Sequence, residues 1–148
     1  MIKELNPMDK FNFLIGKWKL KYKVPKSSFS DEDEGEGIGE FKRILNDKYV
    51  TFDYSAKLNS GEGSAHAIFA WDEKAKIYRY WWFEDSGSFM TASCNFIDVD
   101  TLNLNWHDSL LIQTFKRKND STIVLEMKYP TGNNSYDLIL EVTFTRIN

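Results

Sequence analysis

Two arginines are the first candidates for chemistry in this chain. Arg43 alternates in phase with Gly37, Gly39 and Phe41, and Arg79 with Trp81 and Phe83. An arginine on an apolar face needs a carboxylate partner or a bound anion, because an unpaired buried charge is costly. A ligand carboxylate or phosphate could fill that role through charge-assisted hydrogen bonds. The alternatives are a structural pair with an interior carboxylate such as Asp53 or Glu84, or a side chain that reaches out to water.

Around the arginines lies a band of aromatics, Tyr78, Tyr80, Trp81, Trp82 and Phe83. On a strand, Tyr80 and Trp82 share one face while Arg79, Trp81 and Phe83 share the other, and alternation leaves open which face points inward. With Phe41, Phe69, Trp71, Phe89 and Trp106 the band could line an aromatic cavity. It could equally fill a core or form an aromatic dimer surface. The candidate ligand-binding set is therefore Arg43, Arg79, Trp81, Phe83, Phe41, Phe69, Trp71 and Trp106.

Other chemistry finds little support. His66 and His107 lack the spacing of a metal site, which needs three or four convergent ligands. His107 shares its phase with Asn103 and Asn105, opposite Leu102, Leu104 and Trp106, and is expected to face water; His66 is ambiguous. Haem would need one inward histidine in a large apolar cavity. Cys94 alternates with Met90, Ala92 and Phe96 and reads as an inert buried thiol. No serine sits on a strand-turn-helix motif, and Gly35-x-Gly37-x-Gly39 precedes a strand rather than a helix, so it is no phosphate loop. No catalytic residue, metal or cofactor is expected, and a binding protein is favoured over an enzyme.

These residues must be positioned by β-structure. Lys17 to Val24 alternates without error, putting Trp18, Leu20, Tyr22 and Val24 on one face and Lys17, Lys19, Lys21 and Lys23 on the other. That is a half-buried antiparallel strand with a solvated lysine stripe. The same reading recurs at about 37–45, 48–58, 62–72, 76–84, 88–97, 101–107, 110–118, 121–129 and 136–147, with turn residues between. Before them, Asn6 can cap and Pro7 can open a short helix, with Phe11, Leu14 and Ile15 on its apolar face and Gly16 at its end. Ten strands in a meander predict an up-and-down antiparallel barrel, which removes the exposed edges so many strands would leave. A two-sheet sandwich is the alternative. Pro25 to Gly39, with Asp31, Glu32, Asp33, Glu34 and Glu36, reads as a solvated loop that could serve as a lid, and lacks the calcium-loop pattern.

Composition narrows the function classes. The chain has 148 residues, 42% hydrophobic and 28% charged, with a net charge of −3. It is long enough for one domain with its own core. The charge favours neither nucleic acid nor an anionic membrane as partner. No apolar run approaches the roughly 20 residues of a membrane span. Met1 to Leu5 lacks a leader's apolar stretch, and the single cysteine excludes an internal disulfide, so a cytoplasmic protein is expected.

Gly16-Lys17-Trp18 opening the first strand, with Arg146 in the last, resembles the lipocalin-type (calycin) arrangement, in which a basic residue of the closing strand covers that tryptophan. The resemblance implies a barrel floor built from Gly16, Trp18 and Arg146, where a guanidinium over an indole gains roughly 0.5–2 kcal/mol. Phe13 to Trp18, Arg43, Ala70-Trp71-Asp72, Tyr80-Trp81-Trp82 and Asp85-Ser86-Gly87 resemble, more closely, a bacterial family of lipocalin-like domains of unknown function. That likeness implies the fold and no activity. Nitrobindin-like ten-stranded barrels, more distantly similar, bind haem through a histidine near the C-terminus; none follows His107 here.

The expected protein is thus a single lipocalin-like barrel, residues 1–148, holding a small hydrophobic or amphipathic molecule, anionic if the arginines face it. A filled barrel acting through protein contacts, as a homodimer, is the rival. Monomer and homodimer both remain open.

Overall fold

The computed structural model describes residues 5–148; the leader reading at Met1–Glu4 lies outside them. A 3₁₀ helix, Pro7–Leu14, comes first, with the Asn6 side chain accepting from the Met8 N–H at 3.0 Å. Its buried residues are Met8, Phe11 and Leu14, three apart, which is the period of a 3₁₀ turn and the reason the segment winds more tightly than an α-helix. Phe11 meets Phe69, Phe96 and Tyr78 at 5.0, 5.0 and 5.2 Å, so the helix plugs one end of the β-structure.

That structure has ten strands: β1 (Gly16–Val24), β2 (Asp33–Ile44), β3 (Tyr49–Leu58), β4 (Gly61–Asp72), β5 (Ile77–Glu84), β6 (Phe89–Asp98), β7 (Thr101–Trp106), β8 (Ile112–Asn119), β9 (Thr122–Gly132) and β10 (Ser135–Arg146). Each pairs antiparallel with the next, and β1 pairs with β10, which closes the barrel. The sandwich alternative is thereby excluded. Trp18, Leu20, Phe41, Phe69, Phe115 and Phe144 all point inward and are fully buried. Lys17, Lys19, Lys21 and Lys23 are exposed on the outer face of β1.

The acidic stretch departs from the loop expectation. From Asp33 onward it is strand, and Glu34, Glu36 and Glu40 stand directly opposite Lys23, Lys21 and Lys17 of β1. Opposite charges across a strand pair contribute roughly 0.2–1 kcal/mol each, a term no single segment reveals. Only residues 25–32 remain loop. The inward positions of this half of β2 are Gly35, Gly37 and Gly39. A Cβ on Gly39 would stand 2.6 Å from the Phe52 ring, so the bare backbone makes room for the aromatics of β3.

Candidate functional site

The plugged end uses its arginines structurally. The Arg146 guanidinium lies 4.2 Å from the centre of the buried Trp18 ring. It donates to the carbonyls of Ile15 at 2.7 Å, Phe13 at 3.1 Å and Asp120 at 3.0 Å. Trp18 Nε1 donates to the Leu14 carbonyl at 2.7 Å. Gly16 sits at φ +130°, and a Cβ there would be 2.6 Å from Arg146 Nη1. A left-handed backbone and a guanidinium in the side-chain position both demand glycine.

Arg43 belongs to this end as well. It is in phase with Phe41, as its spacing suggests, but it donates to Asp9 Oδ1 at 2.8 Å, Asn12 Oδ1 at 2.7 Å and the Asp47 carbonyl at 2.9 Å. It clamps the 3₁₀ helix to the β2–β3 turn, in which Leu45, Asn46 and Asp47 all hold positive φ. Arg79 points to the outer face and its Nε donates to Asp72 Oδ2 at 2.7 Å. Hydrogen bonds from the Ala75 N–H first and Arg79 second hold the Asp72 carboxyl below its usual range. Neither arginine faces the interior as an anion anchor, because each has found a carboxylate close to its own strand end.

The aromatic candidates divide in the same way. Tyr78, Tyr80 and Trp82 are the inward set of β5, so Trp81 and Phe83 lie outside, Phe83 being 44% exposed. Phe41 stacks on Phe52 at 3.9 Å and Phe69 packs on Tyr80 at 4.6 Å; both fill the core rather than line a space. Trp71 packs on Tyr78 at 4.7 Å, with its Nε1 donating to Glu73 Oε2 at 2.6 Å. Trp106 alone of the set belongs to the open half, edge-on to Tyr80 at 5.5 Å and Trp82 at 6.4 Å. Its buried Nε1 has no acceptor.

That open end carries the cavity. A space of about 390 Å³ enters the barrel between β1, β3, β4 and β5, lined by Tyr22, Tyr54, Ala56, Leu58, Ala65 and Glu84. Trp82 Nε1 donates to the Tyr54 hydroxyl at 2.8 Å, tying the cavity wall to the Trp106 cluster below. Burial, and secondarily the Tyr54 phenol, pushes Tyr22 above its ordinary pKa of 10.0; burial does the same to Tyr80. Burial also raises Cys94, which keeps it a neutral thiol. Tyr22, Tyr54, Trp82 and Glu84 stand outside the sequence-derived set. Tyr22 was legible from its phase with Trp18 and Leu20 and Glu84 was weighed as an interior carboxylate, whereas the signal of Tyr54 and Trp82 was their phase with Phe52 and Tyr80, readable only once the inward face of each strand is known.

A second hollow of about 710 Å³ lies on the outer wall, with Ile38, Asp53, His66, Phe83 and Ile147 among its lining residues. Asp53 is therefore outside, not interior, and its Oδ1 is 2.5 Å from His66 Nδ1. Nearby Ser64 Oγ donates to Asp85 Oδ2 at 3.1 Å rather than to His66. His107 also faces out, with Nδ1 2.7 Å from Thr91 Oγ1. Among the described residues no cluster of three metal-ligating side chains occurs, and no helix is long and apolar enough to cross a membrane.

Solved structures with this fold share little sequence with the chain. Rv2717c from M. tuberculosis superposes with a TM-score of 0.66 at 10% identity, covering 98% of this chain and 100% of its own. The S-type phycobiliprotein lyase CPES from Guillardia theta gives 0.56 at 10% identity, over 98% and 94%. A barrel from the de novo design of a fluorescence-activating beta barrel gives 0.52 at 10% identity, over 94% and 98%. At such identity the likeness is one of fold. No curated protein matches the sequence. One family model does, over residues 7–146, and it is described as a protein of unknown function, DUF1579.

Proposed function

We propose, for a chain that belongs to the DUF1579 family of proteins of unknown function, that the barrel binds a small hydrophobic or amphipathic molecule through its open end. The observation that carries this reading is the cavity of about 390 Å³ walled by Tyr22, Tyr54, Ala56, Leu58 and Ala65. Apolar walls with a few polar groups, opening at a barrel mouth, are the usual make-up of a ligand site. The bond from Trp82 Nε1 to the Tyr54 hydroxyl at 2.8 Å supports the reading, since it holds that wall of the cavity in place. In this reading the whole chain acts as one barrel in the cytoplasm, binds rather than catalyses, and needs no cofactor.

Mass spectrometry of freshly purified protein, native beside denatured, tests it, together with tryptophan fluorescence on adding 1-naphthalenemethanol. A co-purifying mass or saturable quenching is expected. Both should vanish in Ala65→Trp, which fills the space opposite Glu84. A native mass equal to the bare chain, with no fluorescence response, would overturn the proposal.

A second reading rests on the outer wall, where Phe83 and Phe89 stand opposite each other, 44% and 71% exposed. Exposed aromatic pairs of this kind favour protein contact. A doubled native mass that Phe83→Ser with Phe89→Ser abolishes would support a homodimer.

A further inference from the structure

The ligand's charge can be argued from what the two ends of the barrel have done with their own charges. We infer that the open cavity selects an apolar cation, an aromatic or alkyl ammonium ion, with Glu84 as its counter-charge and the Tyr22 and Tyr54 rings as its walls. This deepens the proposed binding function and rests on it.

Three observations lead there. First, none of the four arginines is left for an anion in the barrel. Arg43 and Arg146 are held at the plugged end by their carboxylate, amide and carbonyl acceptors, and Arg117, in phase with Phe115, pairs there with Asp120 and lies 3.9 Å from Asp100. Arg79 is outside with Asp72. Second, the residues around the cavity include Glu62, Glu84 and Asp85 and no lysine or arginine. Asp85 is engaged with the Ser64 N–H at 2.9 Å, and Glu62 stands opposite Lys57. Glu84 differs from both. It alternates with Tyr80 and Trp82, pairs across to Ala65, and so belongs to the inward face. Its Oε1 accepts from the Ser86 hydroxyl at 2.6 Å, which orients the carboxylate at the mouth.

Third, the walls suit a cation. After burial, the Glu84 charge is among the causes that hold Tyr54 above its ordinary pKa, so the carboxylate acts on the same space as that phenol. Electron-rich ring faces attract an ammonium group, more strongly where water is excluded. Tyr22 is 9% exposed and Tyr54 is half-buried with its ring stacked on Phe52 at 4.7 Å, so the cavity is walled by largely desolvated aromatic surface. A carboxylate ligand in the same place would meet Glu84 as a like charge with no compensating cation.

The test compares three probes of one shape on the purified chain: 1-naphthylmethylammonium, 1-naphthalenemethanol and 1-naphthoate, followed by calorimetry and tryptophan quenching. The expected order is ammonium, then alcohol, then carboxylate, with about a 10-fold advantage of ammonium over alcohol, a size typical of a partly desolvated cation–aromatic and ion-pair contact. Glu84→Gln should remove most of that advantage by weakening the ammonium far more than the alcohol, with a circular dichroism spectrum matching that of the unaltered chain to show that the variant folds. Equal affinity for ammonium and alcohol, or tightest binding of the carboxylate, overturns the cation inference and leaves the binding function standing. So does a Glu84→Gln variant that weakens all three alike. Failure of all three probes on the unaltered chain overturns both.

Discussion

The two ends of this barrel treat their polar groups in opposite ways. At the plugged end Arg146 donates to three backbone carbonyls, Arg43 to two side chains and a carbonyl, and Trp18 Nε1 to Leu14. Among the described buried side-chain atoms of that end, only Arg43 Nε lacks a hydrogen bond, and it lies 3.8 Å from Asp47 Oδ1. At the open end the Tyr54 hydroxyl and the Glu84 carboxylate have one partner each, Trp82 Nε1 and the Ser86 hydroxyl, and with Tyr22 they line a space that the barrel leaves unfilled. Buried cations that are fully partnered contribute to architecture; polar groups left facing a void are where a ligand can add free energy. Position within the barrel, not residue type, separates the two roles.

Removing the floor challenges this contrast most strongly. Trp18→Ala, at a side chain with 0% exposure, should lower unfolding free energy by about 3–5 kcal/mol in a urea titration. A loss no larger than that of Trp82→Ala at the open end would show that the ends are alike. Next in size, Arg146→Met leaves the carbonyls of Phe13, Ile15 and Asp120 without their donor. A cost of about 2–3 kcal/mol is expected from those orphaned acceptors. A smaller cost would mean that water reaches the floor.

Trp106→Phe probes the contrast from the other side. It deletes a donor that has no acceptor in the barrel, so the cost expected is only the packing lost from an indole that is 9% exposed, about 1–2 kcal/mol. A loss as large as that of Trp18→Ala would show the indole N–H to be engaged already.

The smallest effect has no consequence at neutral pH. Tyr22, Tyr54 and Tyr80 are held above the ordinary 10.0, chiefly by burial. As pH climbs past about 10 the unfolded chain releases these protons while the folded barrel retains them. Stability is therefore intact below that pH and falls above it. In an alkaline titration these three should ionise only as the circular dichroism of the barrel is lost. Ionisation of all seven tyrosines with the fold unchanged would place the phenols in water.

Much of the architecture was legible because short-range patterns carry it. Trp18, Leu20 and Tyr22 alternating with lysines, repeated along the chain between turn residues, specifies strands; their number and short connections specify a meander. The start of β2 at Asp33–Glu36, ahead of the strand read from about residue 37, was hidden, since glycines and carboxylates look like a loop until Lys21 and Lys23 stand beside them. Arg43 was in phase with the interior, yet its partners Asp9 and Asn12 lie 34 and 31 residues away in sequence.

Residue order alone was enough to specify most of the secondary structure and which side chains share a face of each strand, because both follow from spacing within a few residues, whereas closure into a barrel rather than a sandwich was decided by the pairing of β1 with β10. Which phase of β5 faces inward was settled only by folding, which put Trp82 and Glu84 inside with Trp81 and Phe83 outside. Both faces of that strand are aromatic, and the choice depends on how its neighbours pack. The same holds for charge: each arginine's role depends on a carboxylate or carbonyl that folding alone brings near, and folding alone put Glu84, rather than Arg79, on the inward face of β5.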